Sequence, residues 1–177
     1  MALLRRRSRI PKSVPGGEAP VRAATADVAG DPHEVATVHT EFSLPSAEGN
    51  EREVMERVAA AVASLGLSPA RLERLKTAVA EAAMNAIEHG NGGNAALPVG
   101  VRVESTSRMV TVRITDQGGG TPIPRVEIPD IEAKLAGEQK PRGWGLFLIA
   151  KMVDEMRTHT DGSHHVIELV MNRGESW

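Results

Sequence analysis

Apolar and polar residues alternate at the start of the patterned region. Val38, Thr40, Phe42 and Leu44 fall on one side, and His39, Glu41 and Ser43 on the other. Period two is the mark of a strand with one covered face. Pro45 and Ser46 follow, with Ser46 placed to cap a helix, and the period then lengthens. Val54, Val58, Ala61, Val62 and Leu65 recur at helical spacing until Gly66 stops the run. A second helix is predicted from Ser68-Pro69, because serine caps well and proline fits the first helical position. Leu72, Leu75, Val79, Ala82, Ala83 and Ile87 make its apolar face, and Gly90 ends it. Leu97, Val99, Val101 and Val103, then Val110, Val112 and Ile114, alternate on either side of Ser105-Thr106-Ser107 and predict a hairpin.

From Asp116 to Arg142 the periodicity disappears among prolines and glycines. A mobile, functional loop is expected there, with one helical turn near Ile131–Leu135. A third helix is expected from about Gly145, with Leu146, Ile149, Ala150 and Val153 inward. Met156–Thr160 and Val166–Met171 then flank Asp161-Gly162, a strong hairpin signal. Segregated helices and antiparallel hairpins imply an α+β fold, a two-layer α/β sandwich with the helices on one face of the sheet. Residues 1–34 carry no such pattern. They read as a disordered basic tail, with one domain spanning 35–177.

Composition changes this picture in three ways. With two Phe, two Trp and no Tyr, the core must be aliphatic, and an aromatic platform for stacking single-stranded bases is not expected. With no Cys, disulfide scaffolds and thiolate metal sites are excluded, in keeping with a reducing, cytoplasmic setting. The net charge of −2 hides an asymmetry. Arg5, Arg6, Arg7, Arg9, Lys12 and Arg22 face only Glu18 in the first 26 residues, so the rest of the chain is acidic. An acidic body argues against direct nucleic-acid binding as the main task. No apolar run reaches the ~20 residues of a membrane span.

Three stretches carry candidate chemistry. In the second helix, Glu81, Asn85 and Glu88 or His89 share a stripe among small apolar neighbours. A carboxylate and an amide so placed suit a hard cation such as Mg²⁺. Asp116-Gln117-Gly118-Gly119-Gly120 follows a predicted strand. The carboxylate can accept from an exocyclic amine, and the glycines let a flat ring lie against the backbone. Arg142-Gly143-Trp144-Gly145-Leu146 leads into a helix N-terminus, an anion site with a cation beside it. Taken singly, each is also what a solvated helix face or a glycine turn shows. His164 and His165, at the tip of the last hairpin, read as solvent-exposed. Glu104, Arg108 and Arg113 read as solvated strand faces.

In order and spacing, the three stretches resemble the ATPase domain shared by gyrase-type ATPases, Hsp90, histidine kinases and MutL. Within that group the chain is similar to the bacterial anti-sigma-factor serine/threonine kinases, over roughly Val35 to Arg173. The resemblance implies that family's sandwich, with a mixed, mostly antiparallel sheet, and implies ATP and Mg²⁺ as ligands. It makes Glu81 the general base and Asn85 the Mg²⁺ ligand. It places His89 at the edge of the site, Asp116 on adenine with Gly118 and Gly120 beside it, and Arg142, Gly143, Gly145 and Leu146 on the phosphate side. A third glycine box is missing, and Thr158 or Thr160 is the expected substitute. The implied phosphoacceptor is an anti-anti-sigma factor, with a sigma factor as a further partner and a homodimer left open. The alternative is a catalytically silent nucleotide-binding module that sequesters a sigma factor or another regulator.

Overall fold

Ser68 caps the longest helix as its position predicts: its hydroxyl accepts from the Arg71 N–H at 3.3 Å, and Pro69 opens the helix. In this computed structural model, residues 35–119, 144–160 and 162–174 are described. The tail expected at 1–34, the loop body at 120–143 with its helical turn, and Asp161 of the last turn lie outside them.

The elements run β1 (Thr37–Pro45), α1 (Asn50–Val62), α2 (Pro69–Asn85), a π-helical turn (Ala86–Gly90), β2 (Pro98–Ser105), β3 (Met109–Asp116), α3 (Trp144–Met152), β4 (Glu155–Thr160) and β5 (His165–Asn172). Gly66 adopts φ 78°, the left-handed stop its place after the first helix demands. Ser46 is not the cap of α1. That position belongs to Gly49, at φ 92°, whose N–H donates to Glu51 Oε2 at 2.9 Å. Ser46 is fully buried instead, and its hydroxyl donates to the Leu97 carbonyl at 2.7 Å, tying the end of β1 to the approach of β2.

The five strands form one sheet in the order β1-β2-β3-β5-β4, and every neighbouring pair is antiparallel. This is the α+β sandwich that the pattern of elements implies. One face carries Val99, Val101, Val103, Val110, Val112, Ile114, Leu169 and Met171, all buried. Val54, Val58 and Val62 of α1, Leu75, Ala78, Val79, Ala82 and Ala83 of α2, and Leu146 and Ile149 of α3 belong to the same core. Alanines along α2 let its backbone lie close to the sheet. Each fully buried Val, Leu or Ile contributes roughly 1.5–3 kcal/mol, so an aliphatic core suffices without aromatic rings. No helix among the described residues is long and apolar enough to cross a membrane.

The opposite face is ionic, and here the expectation of merely solvated charges fails for Glu104 and Arg113, while Arg108 is exposed as expected. Arg102 bridges Glu41 and Glu104, and Arg113 bridges Glu104 and Glu168. Arg157 lies 3.8 Å from Glu168 and is paired closely with Glu155. The chain of alternating charge crosses all five strands. It covers Glu168 so well that only 8% of that residue is exposed.

Candidate nucleotide site

The site is built where α2, the π-helical turn, the end of β3 and the start of α3 meet. Glu81 and Asn85 lie one helical turn apart and face α3. What allows the approach is Gly145. A Cβ at that position would fall on Glu81 Oε1 and lie 3.0 Å from Asn85 Nδ2. Three residues singled out in the sequence therefore converge: Glu81, Asn85 and Gly145. The first turn of a helix favours a negative charge beside it, and Glu81 supplies one. Trp144, the first residue of α3, is half-buried at this junction.

Two properties distinguish this pair from an ordinary helix face. Among the described residues, Asn85 Nδ2 is the buried side-chain polar atom with no hydrogen-bond partner. Leaving such a group unsatisfied costs roughly 1–3 kcal/mol, which a ligand can recover. Burial, with the charge of Glu88 adding to it and His89 opposing, raises the Glu81 pKa above the ordinary carboxylate value. A carboxylate moved in that direction is a better proton acceptor near neutrality. The open Nδ2 donor suits a phosphate oxygen, while the amide oxygen of the same side chain is the atom that would ligate Mg²⁺, which takes few protein ligands and keeps water and phosphate oxygens. Glu88 and His89 are exposed on the π-helical turn, so His89 stands outside the close cluster.

Asp116 ends β3 and is only 5% exposed. Its Oδ1 accepts from the Gly118 N–H at 2.8 Å and pairs with His165 Nδ1 at 3.1 Å. Gly90 makes the room: a Cβ there would overlap the carboxylate. A Cβ on Gly118 would meet the Gly90 carbonyl, and one on Gly119 the backbone of Ser163 and His164. None of Gly90, Gly118, Gly119 and Gly145 has a positive φ. Their lack of a side chain serves close approach rather than backbone handedness.

Some expectations land elsewhere. Leu146 is a core residue. Thr158 and Thr160 are exposed on the edge strand β4. His165 is buried, against its reading as an exposed tip residue, because β5 begins with it and the register sets it opposite Asp116. His164 is half-buried. Gly120, Arg142 and Gly143 lie outside the described residues.

Asn91, which no sequence signal marked, is a hub. Its Nδ2 donates to Ser46 Oγ at 2.8 Å and to the Pro98 carbonyl at 3.1 Å, while its Oδ1 accepts from the Gln117 N–H at 2.7 Å. One buried amide thereby fixes the turn after Asp116 to the ends of β1 and β2.

One antiparallel sheet with its helices packed on a single face defines the class first, an α+β sandwich. The chain belongs to the family of histidine kinase-like ATPase domains, whose family model matches residues 44–171. Its fold is similar to that in the crystal structure of the RsbU and RsbW domains of Rv1364c from Mycobacterium tuberculosis. The TM-score is 0.53 at 17% identity, over 75% of this chain and 32% of that one. This chain thus spans about a third of that protein's chain, and at such identity the likeness is one of fold. No curated protein matches the sequence.

Proposed function

We propose that the chain is an anti-sigma regulatory kinase of the cytoplasm, transferring the γ-phosphoryl group of ATP to a serine or threonine hydroxyl of an anti-anti-sigma-type partner. The observation that carries this reading is the Glu81–Asn85–Gly145 cluster: a carboxylate of raised pKa one turn from an unsatisfied buried amide, against the start of a helix. The choice of partner class follows the resemblance of the sequence to anti-sigma-factor kinases.

In this reading Asp116 accepts from the exocyclic amine of adenine, and Gly90 and Gly118 let the carboxylate and its turn pack closely enough to hold it in place. Asn85 would hold Mg²⁺ through its amide oxygen, and the ion would neutralise phosphate charge. Glu81 takes the proton of the acceptor hydroxyl as its oxygen bonds to the γ-phosphorus and the bond to the bridging oxygen of ADP breaks. Phosphoryl transfer asks chiefly for positioning and charge neutralisation, which these groups provide.

The test separates binding from chemistry. Asn85→Ala should weaken Mg²⁺-dependent ATP binding about tenfold or more by calorimetry, as expected for a lost charge-assisted contact. Glu81→Gln should bind ATP normally yet lose roughly 10²–10⁴ in rate of transfer to the protein that co-purifies with the chain. A Glu81→Gln chain that phosphorylates at the wild-type rate ends the kinase mechanism. Mg²⁺-dependent ATP binding with no transfer by the wild type leaves the silent, sequestering module.

A further inference from the structure

The Asp116 carboxylate is held asymmetrically. Both of its hydrogen bonds fall on Oδ1, from the Gly118 N–H and from His165 Nδ1. Among the described residues none donates to Oδ2. The terminal torsion of an aspartate is soft and nearly two-fold, so packing alone does not decide which oxygen points outward. The backbone N–H of Gly118 comes from the same turn and moves with it. His165 comes from another strand, β5, and is locked there by the register that pairs it with Asp116. A carboxylate has no hydrogen to give, so Nδ1 carries the hydrogen and donates.

We propose that His165 is a positioning residue for base recognition: it pins Oδ1, presents Oδ2 as the single acceptor to the amine of adenine, and so sets the preference of the site for adenine over 6-oxopurines. The inference rests on the reading of Asp116 as the base-reading group and adds the residue that makes that reading selective. The 6-oxo group of hypoxanthine or guanine turns a lone pair toward Oδ2. Only a carboxylate free to swivel could relieve that repulsion, by accepting from the ring N1–H instead. Charge-assisted bonds of this kind are the stronger ones, so removing one loosens the carboxylate.

The experiment compares affinities for ATP and inosine triphosphate, with Mg²⁺, in the full chain and two variants. The wild type should prefer ATP. His165→Leu should reduce that preference by about tenfold, the worth of one such hydrogen bond, mainly through weaker ATP binding. His165→Asn, whose amide nitrogen can sit where Nδ1 does, should restore most of it. Equal losses for both nucleotides, or an unchanged preference, overturn the proposal, because a histidine that only packs would move both or neither. A wild type without preference removes the Asp116 reading itself, and the proposal with it. One measurement needs no variant: imidazole nitrogen chemical shifts should place the neutral ring's hydrogen of His165 on Nδ1. A hydrogen on Nε2 alone overturns the proposal even if His165→Leu fails to fold.

Discussion

Glu81 is the residue at which charge, burial and position disagree most with those of an ordinary surface carboxylate. Its pKa is raised first by burial and then by Glu88. An acid whose folded pKa lies above its unfolded one binds more protons folded, so it favours folding at low pH and loses that contribution as pH rises through the folded pKa. Glu81→Gln should therefore raise the Tm relative to wild type near neutral pH. The difference should vanish below the ordinary carboxylate range, and paired thermal melts across pH will show it. A gain that persists in acid would place the cause outside ionisation. If Glu81 acts as base, transfer in the wild type should also rise with pH through the same raised pKa.

At the scale of elements, local signals were legible and long-range ones were not. Ser68-Pro69 announced α2 because a cap acts within four residues. The Glu81 and Asn85 stripe could be read from helical spacing alone, since one helix carries both. Ser46, Asn91 and His165 could not be read. Ser46 and Asn91 meet across 45 residues and Asp116 and His165 across 49, contacts that only strand order and register create. Asn91 deserves a direct test because it joins three elements. Asn91→Ala leaves the Gln117 N–H and the Pro98 carbonyl without their partner. A loss of about 2–3 kcal/mol in urea unfolding is expected from such orphaned groups. A loss under about 0.5 kcal/mol, the size of a neutral surface change, would show that the hub is dispensable.

Across the whole molecule, the sheet divides two kinds of cohesion: aliphatic packing on the helix side and alternating charge on the other. The charges at the centre and the rim should differ in value. Arg113 serves Glu168, whose side chain is 10% exposed, whereas Glu41 is 64% exposed at the β1 edge. Arg113→Ala leaves the largely buried Glu168 with only its longer contact to Arg157 and should cost about 3 kcal/mol. Glu41→Ala should cost at most about 1 kcal/mol. Equal costs in chemical denaturation would mean that the lattice acts as a collective field rather than pair by pair. The sequence showed these charges but not their pairing, because Glu41, Arg102, Arg113 and Glu168 share a row only once four strands are in register.

The position of Trp144 at the head of α3, beside Gly145, has an optical consequence. A chain with no tyrosine and two tryptophans draws its near-ultraviolet emission from Trp144 and Trp177 alone. Replacing Trp177 with phenylalanine leaves one fluorophore, half-buried and next in sequence to the glycine that touches Glu81 and Asn85. Its emission then reports on a single junction, so occupancy of the site can be followed by light, without label or coupled assay, as nucleotide is added.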